Sequence, residues 1–369
     1  MATSVTERPP APREPRTGPA HRFAGPAYSA LIVGLVLFSV AATLIAVSLG
    51  STRLPLGTTA GVIGHHLFPF WIGPVGTPID NQIIWDLRLP RALLAIIVGG
   101  GLALVGTVLQ AVVRNPLADP YLLGVSGGAA FGAVAVLVLG SAAAGGAPVS
   151  IAAFAGGLVA SIIVYLLAQR SGRITPTRLI LSGVAVAYLF QAGYSYLLLT
   201  APSPQGIQGV LFWLMGSLAI VRWDGLLLPT LVLTFGAIVL MMQARPLNAL
   251  LVGDEAATAV GVDVQRLRIW MIVMTSLLTG LMVAVSGAIA FVGLIVPHMA
   301  RLLVGSDHRR VLPVALLVGA GFVQVVDTLA RTVRPPVELP LSILTAAVGV
   351  PFFLWLLRRR GRGDEGGAA

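Results

Sequence analysis

Side chains that could carry out chemistry are scarce in this sequence. Of its 369 residues, 14 are acidic, five are histidine and none is cysteine. The absence of cysteine excludes a disulfide framework and a thiolate metal site. The serine, histidine and acidic residues form no recognisable nucleophile elbow and no metal-binding spacing. We therefore predict no catalytic residue and no metal-binding residue, and the sequence gives little support to an enzyme.

Two features imitate ligand sites. The adjacent His65 and His66 could bind a metal, but they lack neighbouring carboxylate or cysteine ligands. Glycine clusters within residues 99–106 and 124–132 look like phosphate-binding loops. A Walker loop needs a lysine, however, and all 24 basic residues of this chain are arginine. We interpret the glycines as positions where membrane helices approach closely.

The elements around these residues are membrane spans. Hydrophobic residues make up 56% of the chain and charged residues only 10%, which is far from the composition of a soluble domain. The net charge of +10 does not indicate a nucleic-acid partner, because the arginines lie at the ends of apolar blocks and not in one patch. The sequence therefore predicts an all-α polytopic membrane protein in a lipid bilayer.

Ten stretches suit a bilayer, since a hydrocarbon core of about 30 Å needs about 20 apolar residues in a helix. They are residues 28–50, 89–113, 122–140, 149–168, 179–201, 226–244, 269–286, 289–304, 311–332 and 341–357. With the N-terminus inside, 18 arginines fall on the cytoplasmic side. The six on the outer side are Arg53, Arg88, Arg91, Arg222, Arg331 and Arg334. This bias predicts about ten transmembrane helices with both termini in the cytoplasm.

The remaining segments complete the domain organisation. Residues 1–26 have no apolar run and are predicted to be a disordered cytoplasmic tail, not a signal peptide. Residues 27–360 form the transmembrane domain, and residues 361–369 form a second cytoplasmic tail. Residues 51–85 form a long outer loop. Residues 202–223 are too short and too rich in glycine to span twice, which predicts an outer surface helix.

A polar run, residues 245–268, lies between the sixth and seventh spans. Gly253 and Gly261 break helical structure on either side of Asp254 and Glu255. The helix dipole favours acidic residues in a first turn, so a helix should begin at Asp254. The residues available for an inward face are Leu250, Leu251, Ala256, Ala257 and Val260. We predict a cytoplasmic platform made of two short helices, with a plain connecting loop as the alternative.

One carboxylate lies inside the predicted spans. Asp327 precedes Arg331 by four residues, so both lie on one face of the ninth span. Ion-coupled transporters commonly need an intramembrane carboxylate. We interpret Asp327 as part of a neutralising pair with Arg331 in preference to a proton relay, and an ion-coupled secondary transporter is the alternative function.

Four segments together resemble one protein family. They are RLPRALLAIIVGGGLALVGTVLQAVVRNPLADPYLLGVSGGAAFG from Arg88, GDEAATAVGVDV from Gly253, GAIAFVGLIVPHMARLLVGSDHRRVLP from Gly287, and ELPLSILTAAVGVPFFLWLLRR from Glu338. These segments are similar to the permease subunits of bacterial ABC importers for iron-siderophores, haem and cobalamin. The resemblance extends from about Arg88 to Arg359.

The resemblance implies a type II ABC importer permease fold in the bacterial cytoplasmic (inner) membrane. It implies a dimer with a second permease protomer, either identical or a paired paralogue. Two ATPase subunits would bind below this dimer and an extracytoplasmic substrate-binding protein above it. ATP and Mg²⁺ would be used by the partner ATPase, so no cofactor is expected in this chain. The cargo stays open among siderophore complexes, haem and cobalamin.

The resemblance also implies three sets of site residues. Those that couple the permease to the ATPase are Gly253, Asp254, Glu255, Ala256, Ala257 and Gly261. Arg88, Arg91 and Arg331 correspond to outer arginines that pair with acidic residues of the binding protein, a task that suits the bidentate guanidinium fork. The residues that correspond to the cytoplasmic gate are Asn115 and Leu117 after the second span, and Pro176 and Thr177 before the fifth.

Overall fold

The computed structural model describes residues 25–50, 52–141, 146, 148–170, 172–201 and 204–365. The regular secondary structure of this part of the chain is helical apart from one antiparallel hairpin, β1 (Gln169–Arg170) paired with β2 (Arg173–Ile174). Residues 1–24 of the predicted N-terminal tail and the last four residues lie outside the described residues. Residues 361–365 of the predicted C-terminal tail continue the last helix.

Fifteen α-helices follow one another in the described residues. They are α1 (Pro26–Ser48), α2 (Leu56–Leu67), α3 (Pro78–Asn81), α4 (Leu89–Val113), α5 (Val125–Leu139), α6 (Val149–Ala168), α7 (Pro176–Leu199), α8 (Pro204–Leu214), α9 (Leu227–Met242), α10 (Ala244–Val252), α11 (Asp254–Ala259), α12 (Val264–Ser286), α13 (Val292–Val304), α14 (His308–Thr332) and α15 (Leu341–Glu365). A π-helical turn, Gln82–Arg88, joins α3 to α4, and Pro120–Leu123 and Trp223–Gly225 are short 3₁₀ turns.

Each of the ten predicted spans overlaps one helix, namely α1, α4 to α7, α9 or α12 to α15. Seven of these helical segments are long and apolar enough to cross a membrane, while α5, α13 and the apolar part of α15 are shorter. The prediction of an all-α polytopic membrane protein is confirmed. The number of about ten spans is approximate, because the three short helices reach the required length only with their flanking residues.

Helix α4 is the centre of the bundle. Together with α3 and the π-helical turn it forms a continuous, largely buried segment, Pro78–Val113. A Cβ atom on Gly99 would collide with the Gly319 carbonyl of α14, and one on Gly106 would collide with the Gly293 carbonyl of α13. The interpretation of these glycines as positions of close helix approach is therefore confirmed.

Residues 51–85 were predicted to be a long outer loop, and most of them are helical instead. Val62 of α2 and Ile84 of the π-helical turn are fully buried against Ala46 at the end of α1. Burial of this apolar surface orders a segment whose length alone suggested a loop. The predicted outer surface helix is present as α8, so the outer side of the protein is capped by helices.

The two histidines of this outer region have partners within it. His65 Nδ1 lies 2.7 Å from the Ile72 carbonyl oxygen. The His66 ring stacks on Trp85 with 4.0 Å between ring centroids. Both imidazoles therefore take part in the packing of the outer segments.

Candidate functional site

The cytoplasmic platform (residues 245–268) consists of two short helices and the start of a long one. Helix α10 ends at Val252, Gly253 adopts a φ of 132°, and α11 begins at Asp254. Gly261, with a φ of 85°, separates α11 from α12. Positive φ values favour glycine, so both breaks follow from the sequence. The predicted helix pair and the predicted helix start at Asp254 are confirmed.

The platform has an inward apolar face and an outward one. Leu250 and Ala257 are fully buried, as predicted. Val252, the last residue of α10, is 78% exposed. Leu251 and Val260 were predicted to face inward, but both are exposed, so the prediction was wrong for these two residues. The physical reason is that α11 ends at Ala259, which turns Val260 away from the bundle. Glu255 is exposed on the same helix.

Asp254 braces the platform against the rest of the protein. Its carboxylate lies 3.2 Å from Arg268 Nη2 and 3.4 Å from Arg114 Nη1. Arg268 is only 1% exposed and donates a second hydrogen bond to the Ile174 carbonyl of β2. Asp254 therefore links α11 to the end of α4 and, through Arg268, to the β1–β2 hairpin. No local sequence pattern indicated these partners.

A second brace joins α10 to the start of α14. Asn248 Nδ2 lies 2.6 Å from Asp307 Oδ1, and the Asn248 side-chain oxygen accepts the His308 backbone N–H at 2.8 Å. Burial alone would raise the pKa of Asp307, but hydrogen bonds from Asn248 and from the Arg309 amide outweigh it and lower that pKa. Asp307 is therefore a carboxylate that holds α10 in place.

The predicted gate residues lie at the C-terminal end of α4 and the N-terminal end of α7. Helix α4 ends because Arg114 adopts a left-handed conformation, and Asn115 Oδ1 then accepts the Leu117 backbone N–H at 2.9 Å. Pro176 and Thr177 form the first turn of α7. The gate residues themselves do not line the narrow crevice between these helices, but Ala118 and Asp119, which follow the first turn, and Leu179 and Ile180, which follow the second, do.

Asp119 lies in the turn after α4 and caps the following 3₁₀ turn. Its carboxylate accepts the Tyr121 backbone N–H at 2.9 Å. Burial raises the pKa of Asp119 to about 6, and this hydrogen bond only partly opposes the shift. The carboxyl lines the crevice between the two predicted gate turns together with Leu179 of α7. The sequence analysis did not identify it.

An outer ionic cluster (Arg88, Arg91, Asp327, Arg331 and Glu338) lies at the other end of the protein. Arg91 Nη2 lies 2.9 Å from Asp327, and its Nη1 lies 2.9 Å from Glu338. Arg331 Nε lies 3.2 Å from Asp327. The predicted neutralising pair of Asp327 and Arg331 is therefore confirmed. The participation of Arg91, 236 positions away, could not be inferred from helical spacing.

Two arginines of this cluster also bind the end of α1. Arg88 Nη1 donates to the Val47 carbonyl at 2.8 Å, and Arg331 Nη2 donates to the Ala46 carbonyl at 2.9 Å. Gly50 makes room for this arrangement, because a Cβ there would lie 2.6 Å from Arg88 Nη2. Carbonyl oxygens in the last turn of a helix lack intrahelical partners and carry partial negative charge, so guanidinium groups satisfy them.

The three arginines predicted to dock the binding protein thus have partners within the protein. Arg88, Arg91 and Arg331 are all buried, and the carboxylate of Asp327 is 1% exposed. The outer arginines exposed to solvent are Arg53, Arg222 and Arg334. Docking through the buried three stays a prediction, and the structure gives them a structural role in addition.

Known proteins with similar sequences are membrane permeases, in agreement with this architecture. The FecCD transport family matches residues 35–359. The cobalamin import system permease protein BtuC of Halobacterium salinarum is 46% identical over 286 residues, which cover 77% of this chain and 76% of that protein. The hemin transport system permease protein HmuU of Yersinia pestis is 41% identical over 295 residues, which cover 76% of this chain and 85% of that protein.

A solved structure agrees as well. An inward-facing metal-chelate type ABC transporter superimposes with a TM-score of 0.78 and 34% identity, covering 90% of this chain and 100% of that chain. Fold and sequence therefore identify the same group of proteins. The chain belongs to the FecCD transport family, and it is a multi-pass permease subunit of an ABC importer with the type II importer fold, not an enzyme.

Proposed function

We propose that this permease moves a bulky metal chelate into the cytoplasm. The cargo class is a siderophore complex of iron, haem or cobalamin, in keeping with relatives named for cobalamin and hemin import. An extracytoplasmic binding protein delivers the cargo to a dimer of permeases, identical or paired paralogues. Separate ATPase subunits, which bind ATP and Mg²⁺, supply the energy. Both termini lie in the cytoplasm, where the platform also lies.

The surface of the platform carries this proposal. Val252 and Val260 are 78% and 72% exposed, and Glu255 lies beside them on α11. Val252 ends α10 and Val260 directly follows α11, so the turn that carries Glu255 presents apolar surface at both ends, which suits a protein partner. The coupling residues Gly253, Asp254, Glu255, Ala256, Ala257 and Gly261 together form that turn. We assign it as the surface that enters a cleft of the ATPase.

The braces of the platform give a route from the ATPase to the gate. A force on α11 acts on Asp254, whose partners are Arg114 at the end of α4 and Arg268. Arg114 directly precedes the gate residue Asn115. Movement of the docked platform would therefore move the turn containing Asn115 and Leu117 relative to Pro176 and Thr177. The second brace, from Asn248 to Asp307, carries the same movement to α14.

Docking of the binding protein is assigned to the outer ionic cluster. Arg91 is shared between a buried partner, Asp327, and a half-exposed one, Glu338, whose side chain is 40% exposed. A carboxylate on the binding protein could replace Glu338 on the accessible side of the Arg91 fork. Arg88 and Arg331 keep the site electropositive, because the cluster contains three guanidinium groups and two carboxylates.

An ion-coupled secondary transporter has no comparable support. The one carboxylate inside the predicted spans, Asp327, contacts both Arg91 and Arg331. This carboxylate is therefore committed to two buried ion pairs within the protein, which favours a structural role over ion coupling. We therefore retain one function.

The test is uptake into proteoliposomes that contain the permease with its ATPase, with the loaded binding protein outside and ATP inside. Uptake should require ATP hydrolysis and persist when proton and sodium gradients are collapsed by ionophores. Uptake by the permease alone, driven by an ion gradient, would contradict the proposal. Titration of the binding protein with a ferric siderophore, haem and cobalamin in parallel then identifies the cargo.

A further inference from the structure

The surface of the bundle carries a long groove between α9 and α12, here called the α9–α12 groove. Its outer part has a volume of about 1050 Å³ and is bordered by α6, whose Ile151 and Phe154 line it. Its inner part has a volume of about 540 Å³ and reaches the platform at Gly261. Met274 of α12 lines both parts, so the two parts are adjacent along this helix.

The walls of the groove are apolar in the middle and polar at the ends. Phe235 of α9, which is 64% exposed, and Leu281 of α12 line the outer part. Polar side chains appear at the outer end, with Asp224, and at the inner end, with Gln243 and Arg266. This distribution matches the profile of a bilayer, where an apolar core lies between two polar surfaces.

Tryptophans lie at or next to both ends of the groove. Trp270 at the inner end is 62% exposed and lines the groove, and Trp223 directly precedes Asp224 at the outer end. Tryptophan is enriched where the hydrocarbon core meets the headgroups. The tryptophans and the apolar walls between them therefore favour lipid as the neighbour of this part of the surface.

The inner end of the groove is arranged for an anion. Arg266 uses its Nε to bind Asp263 Oδ2 at 3.1 Å, and its side chain is 83% exposed. Arg245 lies between the lining residues Gln243 and Pro246 and is also exposed. Two arginines against one aspartate leave a net positive charge beside an apolar channel. Basic pockets of this kind on the cytoplasmic side of membrane proteins suit lipid headgroups.

We infer that the inner part of the α9–α12 groove binds an anionic phospholipid of the cytoplasmic leaflet. The phosphate lies at Arg266 and the headgroup beside Trp270, and one acyl chain runs along Met274 toward Phe235. Because Gly261 and Val262 of the platform line the same end, the bound lipid contacts the segment that joins α11 to α12. The lipid composition of the leaflet then acts on the stability of the platform.

The experiment uses the full-length permease in nanodiscs of phosphatidylcholine that contain a photoactivatable phosphatidylglycerol with a diazirine in its acyl chain. A parallel sample contains the phosphatidylcholine analogue. After illumination, adducts are mapped by peptide mass spectrometry. We expect phosphatidylglycerol adducts on α9 and α12 to exceed those on α1, whose Leu37 and Phe38 are equally open to lipid.

Two pairs of variants test the headgroup and the channel separately. Arg266→Gln should lower phosphatidylglycerol labelling of the groove about fivefold, equivalent to about 1 kcal/mol, without affecting phosphatidylcholine labelling. Arg173→Gln, which removes an exposed arginine from the β1–β2 hairpin, should change neither. Met274→Trp should block labelling by both lipids, whereas Val273→Trp, on the neighbouring position outside the groove, should not.

Three results would overturn the inference. One is equal labelling of the groove and α1 by phosphatidylglycerol. Another is a groove signal that neither Arg266→Gln nor Met274→Trp reduces. The third is a disulfide between a cysteine placed on α9 of one copy and a cysteine placed on α12 of another, in a sample without groove adducts, which would assign the groove to an interface between copies.

Discussion

The two ends of the molecule use charge in opposite ways. In the outer ionic cluster, Arg91 and Arg331 are buried around Asp327, whose side chain is 1% exposed. On the cytoplasmic platform, Asp254 is 44% exposed, and the valines beside it point into solvent. The charged residues of the outer end therefore hold α1, α4 and α14 together. The platform keeps a solvent-facing surface and uses one aspartate to connect it to the bundle.

This difference separates residues that stabilise from residues that face a partner. A buried ionic cluster tolerates loss of one member poorly, because the remaining charge is left uncompensated in a low dielectric. An exposed charge contributes little to folding, and its replacement can remove a contact with a partner while leaving the fold intact. Variants at the two ends should therefore differ in which measurement they affect.

The largest effect is expected for Asp327→Asn. This change leaves Arg91 and Arg331 without their shared anion, and it should lower the free energy of unfolding by about 3 to 5 kcal/mol. Glu255→Gln on the platform is the control and should lower it by less than about 0.5 kcal/mol. Thermal and denaturant unfolding of the detergent-solubilised protein measures both. Equal destabilisation by the two variants would erase the contrast between the two ends.

A smaller but functionally severe effect is expected for Glu255→Arg. It should reduce ATP-driven uptake about tenfold, equivalent to about 1.4 kcal/mol, while the unfolding midpoint stays unchanged. Arg173→Glu is the matched charge reversal on the β1–β2 hairpin and should retain uptake. Gly261→Trp is a poorer probe of coupling, because Gly261 has a φ of 85° that strains other residues. Normal uptake by Glu255→Arg would remove Glu255 from the coupling surface.

The smallest effect is expected for Glu338→Gln. Its side chain is 40% exposed, so its ion pair with Arg91 should contribute less than about 1 kcal/mol to stability. Freed from Glu338, the outer side of Arg91 should bind a partner carboxylate more readily, and association with the binding protein should strengthen at low salt. Surface plasmon resonance at two salt concentrations measures this. Weaker association would place Glu338 itself in the docking contact.

Local patterns in the sequence predicted the local structure well. Apolar length placed each of the ten predicted spans on a helix, glycine and acidic residues placed the break before α11, and helical spacing paired Asp327 with Arg331. Each of these depends on residues that are close in the chain. The helices inside residues 51–85 were missed because their order depends on burial against the end of α1.

Long-range partners could not be predicted in the same way. Glu338 and Arg91 are 247 positions apart, and Asp254 meets Arg268 only after α11 and α12 have packed. The exposure of an arginine also depends on the whole fold, so the sequence placed Arg88 on the outer side without indicating that it binds carbonyls of α1. The sequence therefore indicated on which side of the protein a residue lies better than it indicated which residues contact a partner.

The most direct test of the central claim is protection of the platform by the ATPase. The chain has no cysteine, so a single Val260→Cys variant reports labelling by a maleimide at one site. In detergent or nanodiscs, bound ATPase should slow labelling of Val260→Cys several-fold and leave Ile220→Cys, at a 94% exposed outer position, unchanged. Labelling of Val260→Cys at the same rate with and without a stably bound ATPase would contradict the assignment of the platform as the coupling surface.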